Sequence, residues 1–92
     1  MRKLYLDIQV RDSLGKLYKR ESGEIVYSFR LEIFDLGDSV TKSQCKETFE
    51  NFKAVSKEGS QVHIDVMYYD SISDIYPVIY SFYGAENKFV KH

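Results

Sequence analysis

Residues 3 to 11 alternate strictly: Leu4, Leu6, Ile8 and Val10 fall on one side, and Lys3, Tyr5, Asp7, Gln9 and Arg11 on the other. A period of two belongs to a strand buried on one face, and a helix cannot present it. The period returns from Glu24 to Leu36, with Ile25, Tyr27, Phe29, Leu31 and Ile33 set against Val26, Ser28, Arg30, Glu32 and Phe34. It returns again from Gln61 to Asp70, where Val62, Ile64, Val66 and Tyr68 oppose His63, Asp65, Met67 and Tyr69. Three such stretches commit the chain to a sheet.

The period breaks once. Cys45, Phe49, Phe52 and Val55 follow i, i+4, i+7 and i+10, which lines one face of a helix. Thr41 as N-cap with Gln44 three residues on makes a capping box, and Val40 is placed to staple onto Cys45. Gly59 supplies a left-handed stop, so the spacing predicts one helix over about 42–57. Ile75 to Tyr83 is apolar on both faces, which leaves its register open, and Pro77 requires an edge or a bulge there. Lys88 to Lys91 reads as a short closing strand after the turn residues Gly84 to Asn87. Residues 12–23, with Ser13, Gly15, Ser22 and Gly23, read as a long hairpin loop.

The predicted fold is therefore α+β: a single domain over 1–92 of order ββαββ(β), with a mostly antiparallel sheet of four or five strands and one helix on one face. A helix between the second and third strands would make them parallel if they were neighbours. Two arrangements remain, and the preferred one places the third strand beside the first, which keeps every neighbour antiparallel in the order 2-1-3-4. The helix then covers the face carrying Leu4, Leu6, Ile8, Val10, Ile64 and Val66 with Cys45, Phe49 and Phe52.

Composition excludes more than it selects. Lys+Arg number 13 against 14 Asp+Glu, so no net field draws the molecule to nucleic acid or an anionic membrane. Cys45 is the single cysteine, which excludes an intrachain disulfide and a cysteine-built zinc site, and its helical spacing makes it a core thiol. The longest apolar run is too short to span a bilayer, and Asp7 and Arg11 interrupt any export signal, so a cytoplasmic setting is expected. Eight Tyr and six Phe beside two Ala suit an AT-rich coding sequence of the kind phages carry, and then the compartment would be the host cytoplasm.

No Gly-rich phosphate loop is present, and no cofactor is implied. His63, Asp65 and, across a strand pair, Asp7 are the one cluster with acid–base or metal-ligand chemistry, and a solvated pair on a sheet gives the same pattern. Catalytic and metal residues are accordingly assigned to none. The sheet face away from the helix would present Tyr5, Val26, Phe34, Met67 and Tyr69, joined by some of Tyr76, Val78, Tyr80 and Phe82. Aromatic side chains and Met in one patch are the composition of an interface.

The function expected is a small non-enzymatic inhibitor or adaptor that binds a protein, or a second copy of itself, through Tyr5, Phe34, Met67, Tyr69 and Tyr80. A phage-encoded anti-defence (anti-CRISPR-like) or host-takeover protein is the specific form favoured, with a toxin-immunity protein beside it. The alternative is a nucleic-acid-binding module in which Arg11, Lys16, Lys19 and Arg20 touch phosphates while Tyr18 stacks on a base. Glu21 and Glu24 in the same loop oppose it.

Overall fold

The computed structural model describes residues 2–18, 21–22 and 28–92. The strict alternation at the N-terminus becomes strand β1 (Lys3–Arg11), which occupies an interior position and pairs on both sides. Its neighbours are β2 (Ser28–Phe34) and β3 (Gln61–Met67), both antiparallel to it. Helix α1 (Asp38–Val55) carries the chain from β2 across β1 into β3. Beyond it β4 (Val78–Tyr83), a single 3₁₀ turn (Gly84–Glu86) and β5 (Lys88–Lys91) complete one five-stranded antiparallel sheet in the order β2-β1-β3-β4-β5. The fold is α+β, with the third strand beside the first, the one of two arrangements preferred from the sequence. Val26 and the start of the second predicted strand lie outside the described residues, as do Lys19 and Arg20.

Register shows which side chains share a face. Leu6 lies opposite Leu31 on one side and Val66 on the other, and Ile8 opposite Phe29 and Ile64. Ile64 in turn faces Phe82, and Phe82 faces Phe89. These rows meet Cys45, Phe49 and Phe52 of α1 to form the core, in which Leu4, Leu6, Ile8, Ile64, Val66 and Cys45 are fully buried. Val55, expected on this helical face, is 84% exposed because the helix end overhangs the sheet. Burial pushes the Cys45 thiol up to about 12, which leaves it protonated and inert.

The helix starts a turn before the predicted Thr41 cap. Gly37 is the N-cap, with φ of 102° that only glycine adopts freely, and the Thr41 amide donates to the Gly37 carbonyl at 3.0 Å. Thr41 is thus a buried first-turn residue, and Val40 lies half-exposed in the helix instead of stapling it. Asp38 takes the favourable acidic place at the positive end of the helix. It is anchored there by the Tyr80 hydroxyl, which donates to Oδ1, and by Lys91, whose Nζ is 3.3 Å from Oδ2. These two bonds hold the Asp38 carboxyl below its ordinary value, and the bond to Asp38, with burial, pushes the Tyr80 phenol up to about 12. The helix ends at Val55 with Ser56 extended, so Gly59 turns the following loop instead of stopping the helix.

The apolar fourth strand keeps its register through a bulge. Val66 pairs with Tyr80 but Met67 with Val78, so the ladder slips by one residue just after Pro77. Pro77 lies outside the regular ladder, where its carbonyl accepts the Tyr68 amide at 3.3 Å. Tyr80 therefore faces the helix, against its expected place on the open face.

Gly84 is buried under the ring of Phe49, and a Cβ there would run into that ring. Gly84→Ala is expected to cost about 1–3 kcal/mol of stability, as overpacking of a core does, seen as an earlier midpoint in urea unfolding. An unchanged midpoint would mean that the helix does not rest on this turn. Tyr80 should ionise late, since the neighbouring carboxylate opposes a second negative charge. In an ultraviolet titration, Tyr80→Phe is expected to remove a tyrosine that ionises near pH 12 in the folded protein; loss of an ordinary one would show that Tyr80 does not meet Asp38.

Candidate functional site

The sheet face opposite α1 divides into two unlike halves. At one end β1 offers Tyr5, β2 offers Phe34 and Arg30, and β3 and β4 offer Met67 and Val78 as direct neighbours. The connection between β3 and β4 then folds back over this end. Asp70 shapes it: Oδ1 accepts the Ile72 and Ser73 amides at 3.0 and 3.4 Å, and the backbones of Asp70 and Ile75 bridge. The turn delivers Tyr76 onto the sheet, edge-on to Tyr5 with ring centroids 5.6 Å apart and 5.1 Å from Tyr69. The Arg30 guanidinium lies 5.2 Å above the Tyr76 ring. The Tyr69 hydroxyl donates to Asp74 Oδ1 at 2.6 Å, and that carboxylate pushes the phenol above its ordinary value.

Four of the five expected partner-binding residues thus meet here. Tyr5, Phe34, Met67 and Tyr69 share the open face, while Tyr80 lies beneath the helix. The face is less open than expected: the chain's own 68–77 connection covers part of it and Met67 is buried. Phe34, Tyr69, Tyr76 and Val78 stay substantially exposed. Tyr76, one of four candidates left open by the register, is the ring that organises the cluster.

The other half is polar and internally satisfied. His63 Nε2 is 2.8 Å from Asp65 Oδ1, and an ionised carboxylate only accepts, so that nitrogen carries the proton. Ser81 Oγ donates to the same oxygen at 2.8 Å, and His92 Nε2 lies 2.7 Å from Ser81 Oγ. Since the serine proton is directed to Asp65, His92 donates to the serine. Serine, histidine and aspartate are all present, yet the proton runs toward the acid and not from serine to histidine, the reverse of what nucleophile activation needs. His92 is not frayed: its amide donates to the Ile79 carbonyl at 2.9 Å. Neither Ser81 nor His92 was legible as part of this network, because the bulge in β4 decides which face Ser81 takes. Among the described residues no group of His, Cys, Asp and Glu is arranged to hold a metal ion. Asp7 lies directly opposite both Asp65 and Arg30.

Of the residues proposed for phosphate contact, the described ones, Arg11, Lys16 and Tyr18, are engaged in different places. Arg11 Nη2 donates to Gln9 Oε1 at 2.6 Å and Nη1 to the Gly15 carbonyl at 3.4 Å, on the open-face side. Tyr18 packs instead against the core on the helix side, its hydroxyl 3.0 Å from Ser60 Oγ. Lys16 is exposed, its amide tied to Asp12 Oδ1 at 2.9 Å. No family model, no curated protein and no solved structure matches the chain. No helix among the described residues is long and apolar enough to cross a membrane.

Burial pushes the Asp65 carboxyl up, but hydrogen bonds from His63 and Ser81, with the charges of His63 and Arg11, outweigh it and hold it below its ordinary value. A carboxyl depressed in the folded state adds stability above its unfolded pKa and loses it as the pH falls through the folded one. Asp65→Asn should therefore flatten the acid limb of the stability profile below about pH 4 and cost about 1–3 kcal/mol at neutral pH. Parallel acid limbs in denaturant unfolding would show that Asp65 does not carry this coupling.

Proposed function

We propose that the chain is a protein-binding domain without enzymatic activity of its own, which seats its partner on the aromatic end of the open sheet face. The observation that carries this reading is the half-exposed cluster of Tyr5, Tyr69 and Tyr76, held ring against ring with Phe34 and Val78 beside it. Tyrosine and arginine are the residue types that carry binding energy at interfaces. The rings are already fixed by their mutual packing, by Asp74 and by Arg30, so little side-chain entropy remains to be lost on docking.

Two further features favour binding over chemistry. The Ser81 hydroxyl is buried with its proton committed to Asp65. The sole cysteine is buried and protonated. A domain of this kind acts by occupying a partner's surface, which is the mode shared by an inhibitor, an adaptor, an anti-defence protein and a toxin-immunity protein. The nucleic-acid reading is weaker, because Tyr18 is engaged away from the rings, on the helix side against Ser60.

Affinity capture from the native cell, comparing wild type with Tyr69→Ala/Tyr76→Ala, tests the reading. Losing two central aromatic anchors should weaken capture of the partner by about thirtyfold or more, with the fold retained by circular dichroism. Capture that survives the double substitution but falls steeply with salt would sink the reading in favour of phosphate contacts.

A further inference from the structure

The two edges of the sheet are unlike. β5 is four residues long and bounded by Lys88 and Lys91, the short charged form in which proteins leave an edge that must not pair. β2 is seven residues long, without proline, lysine or bulge, and among the described residues it pairs with β1 alone. Its helix-side row is apolar and only half-covered: Phe29 and Leu31 are 41% and 43% exposed, and Ile33 is only partly buried. Its other row alternates in charge, Arg30 then Glu32.

We propose that β2 pairs with β2 of a second copy, antiparallel and centred on Leu31, to make a symmetric dimer with one continuous ten-stranded sheet. An antiparallel pair of identical strands has its two-fold axis perpendicular to the sheet, so both helices lie on the same face and the axis passes through one residue. Centring on Arg30 would set Arg30 against its own copy, and centring on Glu32 would do the same with Glu32. Like charges directly opposite are destabilising. Centring on Leu31 sets Arg30 against Glu32 of the second copy twice over, Leu31 against Leu31, and Phe29 against Ile33. The charges and the apolar row select the same register. The half-exposed strip on the helix side of each copy becomes one buried strip across the axis.

This edge adjoins the tyrosine cluster, since Arg30 also lies over the Tyr76 ring, and the pairing would bring the two clusters onto the same face of the joined sheet. Its chemistry is self-recognition through main-chain pairing, with the side chains choosing the register.

Sedimentation equilibrium over a wide concentration range is the test. The wild type should dimerise. Arg30→Glu places like charges opposite at both pairs and should raise the dissociation constant by about tenfold or more, and Arg30→Glu/Glu32→Arg should restore it to within about threefold of wild type. A wild type that stays monomeric at about 0.5 mM, a dimer indifferent to Arg30→Glu, or a charge swap that fails to restore association would each overturn the proposal. If Arg30→Glu does not fold, cysteine cross-linking decides. Leu31→Cys on the axis brings two Cα atoms to about 4.5–5.5 Å, inside the range a disulfide spans, and should oxidise to a covalent dimer. Ser28→Cys, roughly 20 Å from its copy in this register, should not; equal cross-linking of the two variants would overturn the pairing.

Discussion

A helix is about 10–12 Å across with its side chains, whereas five strands span roughly 19 Å from edge to edge. One helix therefore cannot cover this sheet, and where it sits decides what the rest of the surface must do. It sits toward β3 and the 3₁₀ turn, with Phe49 on Gly84 and against Phe82 at 5.8 Å, and its first turn is tied to Tyr80 and Lys91. That position buries β1, β3 and β4 on the helix side and leaves β2 half-covered, with Phe52 against Phe29 at 5.0 Å.

The opposite face meets the same shortage of cover with a different solution. Its polar end needs no lid because its hydrogen-bonding groups satisfy one another along β3, β4 and the C-terminal histidine. Its apolar end is partly capped by the β3–β4 connection, which contributes Tyr76 and leaves the tyrosines half in water. Both surfaces proposed for association, the tyrosine cluster and the β2 edge, are places where apolar groups stand half-exposed with no further element over them among the described residues.

Sequence patterning made most of this fold legible, because β1 and β3 alternate cleanly and a single helical crossover left only two sheet orders, of which the all-antiparallel one is found. It failed where long-range contacts override local signals. The Thr41–Gln44 pair reads as a capping box, but Gly37 and the Asp38–Tyr80 bond start the helix a turn earlier, and that bond joins residues 42 apart in the sequence. An all-apolar strand carries no period, so the bulge that turns Tyr80 inward and Ser81 outward had no local signature. The Tyr5, Phe34, Met67 and Tyr69 group was legible because the first three stand on strands with a clear period and Tyr69 continues the period of β3 into the following connection. The tie between His92 and Ser81 was not.

The burial of Cys45 has a practical corollary. The thiol is sealed between the first turns of α1 and the sheet, fully inaccessible and held protonated. A reagent in solution can modify it only when the helix lifts away, so the rate of its modification is a clock for that opening. The chain carries this probe at a single natural position, and the helix can be timed leaving its sheet without any label being introduced.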